Sequence, residues 1–135
     1  GKPFAISNAG GGFAYVGAMQ DRFPHALTLS RQGYNAFVLI YAGAQSSCED
    51  LARAIAFIFE HTKQLEVDTQ NYSLRGGSAG ARMVTWLDSY GTASFNEAKY
   101  PKPAAVIMQY TGHEDYTEND PPTFACVGDN DWIAD

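Results

Sequence analysis

The chain has 135 residues, 45% of them apolar, with 9 basic against 15 acidic side chains and a formal net charge of −6. That length suits one domain, which at this size buries roughly two-thirds of the surface its unfolded chain exposes, so a core forms without staples. The acidic balance, with no basic run, argues against nucleic acid as a partner. No apolar stretch approaches the roughly 20 residues that span a bilayer. The opening Gly1-Lys2-Pro3 lacks the apolar run of a signal peptide, so the compartment stays open, leaning to the cytoplasm. Cys48 and Cys126 are read as free small hydrophobes, neither at metal-ligand spacing from a histidine.

Along the chain, strand and helix patterns alternate without repeats or linkers. Phe4 to Ser7 reads as a buried strand running into the Gly-rich loop Gly10-Gly11-Gly12. A helix is expected from Asp21 to Gln32, with Pro24 in its first turn and Gly33 just past its end. The continuous apolar run Ala36 to Tyr41 reads as a strand covered on both faces. Ser46 and Ser47 can cap a following helix whose first turn carries Glu49 and Asp50, and whose Leu51, Ile55, Ile58 and Phe59 form one apolar stripe. Tyr72 to Leu74 is a brief strand. Met83, Val84 and Leu87 mark a helix ended by Gly91, and Ala104–Met108 and Thr123–Val127 are two further strands. Strands separated by helices of this length imply right-handed crossovers, a mainly parallel sheet and a site at the strands' carboxyl ends.

Three segments carry candidate chemistry. Gly76-Gly77-Ser78-Ala79-Gly80 matches G-x-S-x-G between a strand and a helix. The pattern alone is weak, but that context is what a nucleophilic serine on a strained turn requires, because flanking glycines let backbone pass close by. Gly10-Gly11-Gly12 leaves an earlier strand and can turn N–H groups toward an anionic oxygen, as can Ala79 just after the serine. A phosphate loop is the competing reading, but neither G-x-G-x-x-G nor a Walker lysine is present. Asp131, in the turn after the last strand, can orient a catalytic imidazole; Asp129 and Asp135 compete for that role. Of the three histidines, His25 and His61 fall on helices away from the strand ends. His113 follows the fourth strand and is read as a pocket or surface residue, with a role as base the alternative.

These residues carry a resemblance. The chain resembles α/β-hydrolase serine esterases, especially the acetylxylan-esterase-like and hormone-sensitive-lipase-like carboxylesterases. The match runs through Ala9 to Phe13, Gly33 to Tyr41, Gly76 to Gly80 and Pro121 to Asp131, in the family's order and spacing. The resemblance implies an α/β/α sandwich with a mainly parallel sheet, and an acyl-enzyme mechanism with Ser78 as nucleophile and Asp131 as triad acid. It implies Gly11, Gly12 and Ala79 as oxyanion donors, a small-molecule ester as substrate, with short acyl groups on carbohydrate in view, and no cofactor or metal. Ala9 stands where the family often has His, and Ala42 where it often has Arg. The family's first strands would precede Phe4, and its catalytic histidine would follow Asp135, so residues 1–135 are expected to be a single incomplete hydrolase domain, inactive by itself. A homo-oligomer stays open. So do a serine peptidase of the same fold and a non-catalytic pseudo-hydrolase.

Overall fold

The computed structural model describes residues 1–44, 46–114 and 116–132. Five strands form one sheet: β1 (Lys2–Asn8), β2 (Asn35–Leu39), β3 (Val67–Gly77), β4 (Ala105–Gln109) and β5 (Thr123–Cys126). Their spatial order is β2-β1-β3-β4-β5, and each neighbouring pair is parallel. The helices are α1 (Phe23–Arg31), α2 (Ser47–Glu60), α3 (Thr62–Leu65) and α4 (Ala79–Tyr90), with a π-helical turn at Ala18–Arg22 before α1. Helices α2 and α4 pack together, while α1 sits over β2 and β1 apart from them.

The sheet is thus the expected parallel one with flanking helices. Alternation along β1 sends Phe4 and Ile6 to one face, where they join Leu51 and Ile55 of α2 and Met83 of α4 in the core. Phe4 also stacks on Tyr72 of β3, with ring centroids 4.9 Å apart. Each such fully buried side chain contributes about 1.5–3 kcal/mol relative to its exposed state. The C-terminus of α4 matches expectation: Gly91 caps it at φ 78°, with its N–H on the Leu87 carbonyl.

Four local expectations change. The helix expected from Asp21 begins as the π-helical turn and becomes regular only at Phe23. Strand β2 ends at Leu39, not Tyr41, and is an edge strand, half-buried rather than covered on both faces. Strand β3 is 11 residues long, far beyond Tyr72–Leu74, because its polar first half pairs with Lys2 and Pro3 at the margin of the sheet. Ser46 is the N-cap of α2 but makes no side-chain cap bond, since its backbone is already near-helical (φ −104°, ψ −2°). Ser47 instead donates to the Ala44 carbonyl at 3.1 Å.

Among the described residues, no helix is long and apolar enough to cross a membrane, and no cluster of three metal-ligating side chains occurs. Cys48 and Cys126 are free, and burial pushes the Cys48 thiol up to about 11.

Candidate active site

All five strands point the same way, so the loops after β1, β3, β4 and β5 open on one edge of the sheet. Ser78 follows β3, the central strand, and immediately precedes α4. Its backbone has φ 51° and ψ −118°, a conformation that L-residues other than glycine adopt only under constraint. The constraint is visible. Its N–H donates to the Gln109 carbonyl of β4 at 2.9 Å, and its own carbonyl accepts from Ala81 and Arg82 in the first turn of α4. The hydroxyl itself has no hydrogen-bond partner among the described residues. Ala79 is the first residue of α4, where an N–H lacks an intrahelical acceptor.

The glycines around Ser78 make room for backbone. An ideal Cβ on Gly76 would fall 2.2 Å from the Gly80 carbonyl oxygen, and one on Gly80 would fall 2.2 Å from the Asn8 oxygen. The elbow is therefore pressed directly onto the end of β1. Gly10 lies against it too, its ideal Cβ only 3.1 Å from Ser78 Cβ.

The loop that continues through Gly11 and Gly12 is closed on itself: Ala14 N–H donates to the Gly11 carbonyl at 2.9 Å and Gly17 N–H to the Gly10 carbonyl at 3.1 Å. It is also tied down at both ends. Ala9 is fully buried, and its carbonyl accepts the Tyr41 hydroxyl at 2.7 Å. Phe13 stacks over Trp86 of α4 with centroids 6.3 Å apart. The N–H groups of Gly11 and Gly12 have no acceptor among the described residues.

Asp131 lies in the turn after β5, its N–H on the Gly128 carbonyl at 3.1 Å, with Asp129 in the same turn. Its competitor Asp135 lies outside the described residues. His113 follows β4 and meets Trp86 edge to face at 5.9 Å, with Nε2 buried and unpartnered among the described residues. The structure thus brings the Gly10 loop and the elbow into contact and places Asp131 on the same sheet edge, two strands away.

A polar cluster behind the elbow escaped the sequence reading. Arg22 is fully buried and reaches Gln109 and Tyr110, 87 and 88 residues away in sequence. His25, expected away from the strand ends, stands with Nδ1 3.4 Å from Arg22 Nη1 and so borders this cluster. No local pattern marks such a group, because its members lie on the π-helical turn, α1 and the end of β4. An apolar groove of about 690 Å³ lies elsewhere, between β2 and α2, lined by Phe37, Leu39 and Phe57 among others. It runs along the free edge strand and does not include Ser78.

No protein-family model matches this sequence, and no curated protein does. Solved structures do. An α/β hydrolase from a Medee basin deep-sea metagenome library superposes with a TM-score of 0.71 at 23% identity, covering 93% of this chain and 50% of its own. A putative carboxylesterase from Lactobacillus plantarum gives 0.78 at 19% identity, covering 98% and 65%. An acetyl ester-xyloside bifunctional hydrolase from Caldicellulosiruptor lactoaceticus gives 0.64 at 26% identity, covering 80% and 43%. The chain spans about half the length of the solved structures it matches.

Proposed function

With the α/β-hydrolase fold as premise, we propose that the protein is a serine hydrolase of carboxylic esters, with Ser78 as nucleophile. One observation carries the reading: a non-glycine residue held at φ 51° on the turn between the central strand and a helix, beside a Gly-rich loop that leaves the neighbouring strand, its hydroxyl and that loop's Gly11 and Gly12 N–H groups without partners among the described residues. Strain of this kind persists where the surroundings over-determine it, and it clusters at functional sites. The structural neighbours, carboxylesterases and an acetyl ester hydrolase among them, support the same reading.

In the proposed mechanism Ser78 Oγ attacks the ester carbonyl and its proton passes to an imidazole. The carbonyl oxygen becomes an oxyanion that accepts hydrogen bonds from Gly11, Gly12 and Ala79. Collapse expels the alcohol, which takes the proton from the imidazolium, and water repeats the sequence on the acyl-enzyme. Asp131 orients the imidazole and stabilises its charged form. The histidine that carries it is proposed to lie outside residues 1–135, as in the family the sequence resembles. Short acyl groups on carbohydrate are the proposed substrate class; one neighbour is described as acting on acetyl esters and xylosides and another as a sugar hydrolase.

The test compares three proteins on an aryl acetate: residues 1–135, the chain extended by its native flanking sequence, and the extended chain with Ser78→Ala. Strong hydrolysis is expected only in the second. Ser78→Ala should lower it by about 10⁴-fold or more, because triad members act as a unit. Equal activity in the Ser78→Ala protein would remove the nucleophile assignment. Equal activity in residues 1–135 would show that His113 or another group within them serves as the base.

A further inference from the structure

The cluster behind the elbow takes no part in the proposed chemistry, yet it touches both the Gly10 loop and the elbow that do. Arg22 Nη1 donates to Gln109 Oε1 at 3.0 Å, and Nη2 donates to the Tyr110 hydroxyl at 2.9 Å. The Tyr110 hydroxyl donates in turn to Asp21 Oδ1 at 2.6 Å, where Arg22 Nη2 also approaches to 3.3 Å. The second carboxylate oxygen, Oδ2, accepts the N–H of Gly10 at 2.9 Å. The circuit closes on the nucleophile from two sides. Gln109 holds the Ser78 N–H through its carbonyl, and Gly10 packs against the Ser78 side chain. Arg22 and Tyr110 fill the space beside Gly77, where an ideal Cβ would fall 2.1 Å from the guanidinium and 2.5 Å from the hydroxyl.

Such a group is a poor device for stability alone. Burying a guanidinium beside a carboxylate costs much of what their attraction returns, and well-packed apolar replacements often do as well. What the group supplies is direction. Oxyanion donors act only if they are fixed before charge develops, and a run of three glycines has little intrinsic stiffness. A charge-assisted bond to the first N–H of that run supplies the missing constraint.

We infer that Asp21 is a positioning residue: through the Gly10 N–H it holds the Gly10–Gly12 loop against Ser78, so that the next two N–H groups stand ready for the oxyanion. Arg22 and Tyr110 aim the carboxylate. The inference rests on the ester-hydrolase reading of the site, but its physical half, the anchoring of the loop, can be read without any reaction.

Two variants and two readouts test it. In the chain extended by its native flanking sequence, Asp21→Asn should lower kcat on an aryl acetate by about 10–100-fold with KM within about twofold, the signature of an interaction made in the transition state. Affinity for a trifluoromethyl ketone, which forms a tetrahedral adduct, should fall by the same factor as kcat/KM. Tyr110→Phe keeps the ring and the carboxylate, so it should fold and lose about 3–10-fold, less than the loss of a full oxyanion donor. In residues 1–135, amide hydrogen exchange at Gly10, Ala14 and Gly17, whose N–H groups are bonded to Asp21 or within the loop, should quicken by about tenfold or more in Asp21→Asn, since local opening sets that rate. Unchanged kcat per folded molecule in both variants would overturn the inference. So would a raised KM at constant kcat, or unchanged exchange. An extended wild type that hydrolyses no ester would overturn the function proposed above, while the exchange result would still decide the anchoring.

Discussion

Two glycine-bearing loops flank the candidate site, and they are built on different principles. In the elbow the glycines are spacers: Gly76 and Gly80 let β3, α4 and the end of β1 meet backbone to backbone, with no side chain able to yield. In the Gly10 loop the contacts are mostly polar and aromatic, from Asp21, Tyr41 and the ring of Phe13 on Trp86. Gly12 has nothing within 4 Å of an added Cβ and needs glycine only for its φ of 59°. The Ser78 turn is thus fixed by backbone packing and backbone hydrogen bonds, whereas the loop beside it is anchored by a side-chain carboxylate, Asp21. Packing of backbone on backbone is insensitive to pH, whereas hydrogen bonds to a carboxylate are not.

Gly80→Ala should give the largest effect that can break this contrast. Its Cβ would meet the Asn8 oxygen at 2.2 Å and the Ala9 oxygen at 2.7 Å. Overpacking of this kind costs about 3 kcal/mol or more when neither side can move. Urea unfolding measures it, and a cost below about 1 kcal/mol, the range of a tolerated surface change, would mean that the elbow is not locked by backbone contact.

An intermediate effect belongs to Asp88, further along the helix that the elbow opens. Asp88 is buried, and burial first, then the charge of Asp120, push its carboxyl up to about 7. The folded state therefore keeps a proton that the unfolded chain gives up near 3.8. Its contribution to stability is fully present below that lower value and is lost as pH rises through about 7. Three units correspond to about 4 kcal/mol before solvent screening, and screening brings this to about 2 kcal/mol. Urea unfolding at pH 5 and pH 8, an interval that spans about two of those three units, should differ by about 1–2 kcal/mol in the wild type and by less in Asp88→Asn. Similar slopes in both proteins would place the proton elsewhere.

The smallest effect is expected for Gly12→Ala, about 1 kcal/mol from left-handed backbone strain alone. Its thermal shift should be far below that of Gly80→Ala. If Gly12 also donates to the oxyanion, strain there should lower kcat by more than its stability cost implies, and equal losses would leave the loop with a structural role only.

Asp21 sharpens the contrast from the acid side. Burial raises its carboxyl, but the Tyr110 hydroxyl, the Gly10 N–H and Arg22 outweigh burial and hold it below the usual range. Its contribution is thus present above about 3.8 and is lost as pH falls through its lower folded value. The loop is expected to loosen with acid, while the proton on Asp88 gains its stabilising effect.

Much of this was legible along the chain. Phe4 to Ser7 reads as a buried strand because its neighbours in sequence are turn formers, and β1 is buried from Phe4 to Asn8. Gly91 ends α4 because no residue with a Cβ takes its φ without strain. By contrast, the run Thr123 to Val127 looks as apolar as β1, yet β5 is exposed throughout and Phe124 is 62% exposed. Apolarity fixes that a segment forms a strand; its place at the margin of the sheet decides how much of it is covered.

The sequence by itself determined the alternation of strands and helices, the parallel sheet they imply, and the G-x-S-x-G turn at the end of a strand, because each rests on patterns spanning a few residues. Only the tertiary structure decided which glycines are steric necessities, and that Arg22 is buried between Gln109 and Tyr110. Those facts depend on strand order, which sets β1, β3 and β4 side by side although β4 lies some hundred residues after β1. Local propensity carries no information about which strand becomes a neighbour; the burial of whole faces against α2 and α4 does.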